Sequence, residues 1–331
     1  RQKPVETYRA MQINIGTCLM DQWIPENPLS MGDQGYEEGK TKKTATTGAE
    51  RIERDGISID SPEAVVAHME KFVFPQLRES AAKFDEEGRV DEIIAQECRI
   101  QQEIGPTMLK SGYGFIGFPG LAYGTYGYQC FFETYALYPE VMEKYFSLQA
   151  DVALKNNRAA ARACLKGNLP PLYRLDHDMS DSRGMLVNIK TLDKLWFPHF
   201  TRCLEPMLKT DVRMIWHCDG NLMQMVPRLL DVGIRGFQGF QYEDGMDYEK
   251  ICKMKDKEGR ALIIIAGVSV TTTLPRGKPQ DVKREMEWLV KNGPSKGLFL
   301  GNSSSMTPGV PWENVQTLIE GFQYYQTHGR I

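Results

Sequence analysis

Apolar positions change their spacing near residue 60, and the change divides the chain into two parts. Before it, 34–47 is polar, carries Gly and Thr and holds no sustained apolar period, which predicts loops or irregular strands. Ser61-Pro62-Glu63-Ala64 then sets a capping hydroxyl, a proline at the first helical position and an acidic first turn. An amphipathic helix should run from there through about Phe74. Residues 79–108 are charged with helical period, and 112–127 is rich in Gly and aromatics, as for a buried strand followed by a loop. From Tyr138 onward the pattern is regular. Helices are expected over 139–165, 191–208, 222–232, 247–257, 279–291 and 311–328, and strands over 172–178, 212–217, 236–242, 261–268 and 297–300.

Strand alternating with helix at this spacing predicts parallel strands joined by right-handed crossovers. The expected fold class is α/β, a single closed (β/α)8 TIM-type barrel over 61–331, with an irregular N-terminal extension over 1–60 packed on it. A doubly wound sheet is the alternative, but no G-x-G-x-x-G follows a first strand.

Charge changes this picture little. The 40 Lys+Arg against 43 Asp+Glu leave a net charge of −3, which gives no footprint for nucleic acid or an anionic membrane. The longest apolar run, 261–268, is far short of the roughly 20 residues of a spanning helix. No secretory pattern opens the chain, so a cytoplasmic location is expected. The seven cysteines form no C-x-x-C, which predicts free thiols rather than a structural zinc framework.

In such barrels the active site lies at the C-terminal ends of the strands. Those ends carry Asp176-His177-Asp178, His217-Cys218-Asp219-Gly220-Asn221, Gln241-Tyr242-Glu243, Gly267-Val268-Ser269 and Gly301-Asn302-Ser303. His217 and Asp219, two apart on an extended segment, can serve as an acid/base pair or as two metal ligands. The plainer alternative has His217 bonded to a neighbouring strand and Asp219 capping the next helix. Cys218, on the opposite side, reads as an inert core thiol. Asp176 and Asp178 should share one side and His177 the other, with an Asx turn as the competing account. Glu243 sits near its strand and is a third acid candidate. Asp219, His217, Glu243 and Asp178 are therefore expected to do the chemistry, while Asn302, Tyr242, Gln241, Asn221 and Phe118 contact the substrate. Tyr113, Phe115, Phe118, Tyr123, Tyr126 and Tyr128 could line an aromatic pocket or pack at a barrel end.

From about Asp176 to Tyr325 the sequence resembles the uroporphyrinogen decarboxylase superfamily. The carriers are Asp178 before Gly184, His217-x-Asp219-Gly220-Asn221, Asp231-x-Gly233-Ile234, Gly245-Met246-Asp247, Gly267 after an apolar strand, and Thr307-Pro308-x-x-Pro311-x-Glu313-Asn314. The resemblance implies one of two activities. A porphyrinogen decarboxylase would need N-terminal arginines for its polycarboxylate substrate. This chain has Cys18-Leu19-Met20-Asp21-Gln22-Trp23 there and no Arg between Arg9 and Arg51. The other arm consists of corrinoid-dependent methyltransferases. Its thiol-methylating members resemble His-x-Cys with a later Cys around zinc, whereas here Asp219 and Asn302-Ser303-Ser304-Ser305 occupy those places. A harder zinc site from His217 and Asp219, with Glu243 as a third ligand, is the variant that the residues allow. The closest fit is to members that demethylate methyl ethers or methylamines. It implies a small, aromatic methylated substrate, cobalamin as methyl acceptor on a separate corrinoid protein, and a homodimer as one assembly. A barrel that only binds, without catalysis, is the remaining alternative.

Overall fold

The computed structural model describes residues 2–25, 52–306 and 308–330. The segment 34–47, expected to be irregular, lies outside them, as does Thr307. Six parallel strands form the main sheet: β1 (Gly112–Tyr113), β2 (Leu172–Asp176), β3 (Arg213–His217), β4 (Gly236–Gln238), β5 (Ile263–Val268) and β6 (Leu298–Asn302). Each pairs with the next in chain order, from β1 to β6. That order is the one a barrel uses, and the doubly wound alternative would reverse direction partway. A short parallel pair, Leu19–Met20 with Leu109–Lys110, extends the arc just ahead of β1, and Ser111 N donates to Met20 O at 2.9 Å. Among the described residues the arc does not close with an eighth strand. The expected full (β/α)8 barrel is thus reduced to an open parallel arc with helices outside it.

Local chemistry explains where helix boundaries depart from the sequence pattern. Ser61 caps Pro62–His68 by accepting from Ala64 N at 3.2 Å. The run then passes through a π-helical turn, Met69–Val73, before Phe74–Ala82. Pro75 lacks the N–H that would continue the ladder, so the preceding turn widens. Pro198 similarly splits the helix expected over 191–208 into Ile189–Leu195 and Phe197–Leu208. The first sixty residues are not irregular throughout. Helix Gln2–Asn14 is hard to read because its apolar period is weak, with no acidic residue in its first turn and no basic one in its last. Gln323 Nε2, on helix Trp312–His328, donates to Asn14 O at 2.9 Å and ties that helix to Gln2–Asn14.

The core lies between sheet and helices. Trp196, Phe200 and Trp216 are fully buried there, with the Trp196 and Phe200 rings stacked at 4.3 Å. Buried Asn157, on helix Pro139–Lys166, donates to Gly117 O and Cys203 O, both at 2.8 Å. It thereby fixes the loop after β1 against the helix layer.

Candidate active site

Register places the first two functional groups. Asp176 of β2 lies beside His217 of β3, and neighbouring residues of paired strands present their side chains to the same face. Asp178 follows two residues on, and its Oδ1 accepts Asp219 N at 3.2 Å. Ligand-type atoms of Asp176, Asp178 and His217 lie within 4.8 Å of one another. His217 is only 9% exposed, and its Nδ1 is buried with no hydrogen-bond partner among the described residues. Its Nε2 stands 4.0 Å from Asp219 Oδ1. Gly239 makes room for the ring. It holds φ +81°, and a Cβ there would stand 2.8 Å from His217 Nδ1.

Asp219 is held by one oxygen only. Oδ2 accepts the Ser304 hydroxyl at 3.0 Å, while Oδ1 is buried and unpartnered among the described residues. Burial pushes its carboxyl pKa up, and Asp178 and Asp176 add to the rise. The nearby His217 and the Ser304 hydroxyl pull it down. The capping alternative does not hold, since helix Val226–Val232 begins after Met225 with no side-chain cap. Beneath this group Arg174, buried on β2, reaches Asp21 at 2.8 Å, Asp176 at 3.3 Å and Gln238 Oε1 at 2.9 Å. The Tyr113 hydroxyl also donates to Asp176 Oδ2, at 3.1 Å, and its ring faces the guanidinium at 4.6 Å.

The remaining predicted residues are placed less centrally. The Glu243 carboxylate accepts the Ser269 hydroxyl at 2.7 Å and also the Thr271 hydroxyl, on the turn after β5. Asn302 donates to Ser304 O, so it braces the loop that carries Ser304. Gln241 Oε1 accepts Gly220 N and fixes the turn after Asp219. Asn221 Oδ1 accepts Met223 N at 3.2 Å, closing its own turn. Tyr242 was expected at the substrate, but its hydroxyl donates to Gly267 O at 2.7 Å and its ring lies 5.0 Å from Trp288. Phe118 packs edge-on to Phe200 at 5.8 Å and to His177 at 6.3 Å, so it joins the aromatic core with one side toward the strand ends. The expected alternation holds at His177, whose Nε2 accepts Leu121 N at 2.8 Å away from the two aspartates. Of the aromatic cluster, Phe115 and Tyr126 are core, while Tyr123 packs at a tilt against Tyr128 and donates to Asp178 O at 3.0 Å.

Sequence reasoning missed Arg174 and Ser304. Arg174 lies mid-strand, and only the three-dimensional fold brings Asp21 to it. A sulfur-based zinc site does not fit. Cys218 Sγ is buried toward Met179 N and Ser180, and burial pushes its thiol up to about 11. The imidazole and carboxylates do fit a metal that takes nitrogen and oxygen donors, because His217 Nδ1 and Asp219 Oδ1 are left without partners. A separate cleft of about 680 Å³, lined by Met286, Val290, Tyr324 and Tyr325, sits among the outer helices. It lacks the convergent carboxylates and imidazole, so chemistry rather than volume selects the strand ends. No helix among the described residues is long and apolar enough to cross a membrane.

No family model and no curated protein matches this sequence. Among solved structures, a methyltransferase from Methanosarcina mazei is similar, with a TM-score of 0.50 and 16% identity over 71% of this chain. The match spans 64% of that protein's length, less than two thirds. At this identity the likeness is one of fold.

Proposed function

We propose that this α/β protein is a methyltransferase that takes a methyl group from an aromatic methyl ether and passes it to cobalamin on a separate corrinoid protein. The observation that carries the reading is Asp219, whose raised pKa and unpartnered Oδ1 lie among Asp178, Asp176 and His217 at the strand ends. The resemblance of fold to a methyltransferase supports it.

An ether oxygen leaves poorly as an anion, so the C–O bond breaks readily only if the oxygen is neutralised as it departs. Burial and the neighbouring carboxylates raise the Asp219 pKa, which favours the proton that this role needs. Ser304 fixes the Oδ2 side, and Oδ1 is left without a partner among the described residues. Asp178 orients the Asp219 backbone. The reduced corrinoid supplies the nucleophile when bound. Exposed Tyr128 packs on Tyr123, whose hydroxyl bonds Asp178 O, and so offers apolar surface near the strand ends for a donor ring. The decarboxylase alternative needs free cations for a polycarboxylate, and Arg174 is already shared between Asp21 and Asp176.

The test is incubation with reduced free cobalamin and a panel of methyl donors, following the absorbance of the methylated corrinoid. Transfer from aromatic methyl ethers is expected, with no coproporphyrinogen formed from uroporphyrinogen. Porphyrinogen decarboxylation without methyl transfer would overturn the reading.

A further inference from the structure

We infer that His68 is a positioning residue for Asp178 and Asp219, acting through Tyr126 and the helical turn that also carries Tyr123. The contacts stand apart from the proposed function, but their effect on methyl transfer rests on that reading. His68 closes helix Pro62–His68 and is buried, and both of its ring nitrogens are engaged. Nε2 stands 2.9 Å from Asp55 Oδ2, and Nδ1 stands 2.9 Å from the Tyr126 hydroxyl. A carboxylate only accepts, so the hydrogen lies on Nε2, and Nδ1 of the neutral ring accepts from Tyr126. Burial pushes the Tyr126 pKa up, so the phenol keeps the proton it donates. The Asp55 end is set by local sequence. Asp55-Gly56 is the two-residue turn between Glu53–Arg54 and Ile57–Ser58. Their φ values are +48° and +78°, as a tight hairpin of this hand requires. The turn thereby aims an exposed carboxylate at a buried imidazole.

The Tyr126 end reaches the strand ends. Tyr123–Tyr126 is a single helical turn without a side-chain cap, too short to hold its shape alone, so its tethers place it. Tyr126 is one tether. Beside it the hairpin's root packs on Gly127, where a Cβ would stand 2.8 Å from Ile52 Cδ1. At the other end of the turn Tyr123 donates to Asp178 O at 3.0 Å, and its ring lies nearly parallel to His177 at 6.2 Å. Asp178 Oδ1 in turn accepts Asp219 N. Hydrogen bonds joined by one helical turn therefore run from the hairpin to the two carboxylates proposed to act on the donor.

Tyr126→Phe removes only the hydroxyl. Tyr135→Phe is the matched control, since the Tyr135 hydroxyl is buried with no partner among the described residues. Amide hydrogen exchange is followed by mass spectrometry. Tyr126→Phe should speed exchange about threefold or more in peptides covering 120–127, 176–181 and 217–221, and leave 262–268 unchanged. Tyr135→Phe should leave all four unchanged. Two substitutions of His68 divide the chain of contacts. In His68→Asn the amide falls where Nδ1 stood and can still accept from Tyr126, whereas in His68→Gln it reaches only toward Asp55. His68→Asn should therefore keep more of the slow exchange than His68→Gln. If neither folds, as judged by circular dichroism, Tyr126→Phe decides. Unchanged exchange at 176–181 in Tyr126→Phe overturns the inference. In transfer from an unactivated ether, Tyr126→Phe should lower kcat about tenfold or more with KM held, because small displacements remote from the chemistry are costly. A lower melting temperature with full kcat would make His68 a structural brace and overturn its positioning role. No transfer from any donor by the unaltered protein removes the methyltransferase reading, and exchange alone then decides whether His68 holds the strand ends.

Discussion

Asp219 and Glu243 look alike in the sequence, each an acid just past an apolar strand, and the fold gives them opposite surroundings. Glu243 is exposed, and the hydroxyls of Ser269 and Thr271 both donate to its Oε1. Asp219 has one hydroxyl partner and one buried oxygen with none among the described residues. The difference comes from the next loop along. The turn after β5 is a run of Ser and Thr that folds back onto Glu243, whereas Asp219 borders His217 and two more carboxylates. A solvated carboxylate that gathers two loop hydroxyls on one oxygen is a structural brace. One that is left short and crowded by like charges is a proton carrier.

The sharpest way to break this comparison is Asp219→Asn. Methyl transfer from an unactivated ether should fall by roughly 10²–10⁴, the usual worth of general acid catalysis. The loss should be small for a donor whose leaving oxygen is already stable as an anion, and the melting temperature should hold. Near-wild-type rates on both donors would return Asp219 to the same class as Glu243. The pH profile follows in size. Burial favours the neutral acid, so the active protonated form is lost as pH rises through the raised pKa of Asp219. Transfer from unactivated ethers should therefore decline on the alkaline side, and that limb should vanish in Asp219→Asn. Glu243→Ala should show the reverse pattern. It deprives the buried Ser269 hydroxyl of an acceptor, costing about 1 kcal/mol in a denaturant melt, with transfer nearly unchanged. Smallest is Tyr242→Phe, which removes the hydroxyl donated to Gly267 O and should cost roughly 0.5–1.5 kcal/mol without altering the rate. A large rate loss there would place Tyr242 at the substrate after all.

The strands were legible because apolar runs such as Ile263–Val268 have no other stable use, and the rule of strand ends pointed to Asp178, His217 and Asp219. What stayed hidden depends on contacts between distant residues. Arg174 reads as a stray charge in a strand until Asp21 and Gln238 are brought to it. Asp176 was seen, but its partnership with His217 comes from the register of β2 against β3, which no single strand reveals. Tyr242 shows the opposite failure. Alternation beyond β4 could not reveal that Gly239, at φ +81°, ends the extended geometry and sends the following residues toward the helix layer.

The strand order has a consequence for how the molecule assembles. Because each strand pairs with its predecessor in the chain, the sheet can grow from β1 to β6 as the polypeptide emerges from the ribosome, and each addition closes only the loop of one crossover. The bond from Gln323 to Asn14 cannot form until the last helix has been made. Folding should therefore be vectorial, with the docking of helix Trp312–His328 onto helix Gln2–Asn14 as a late event.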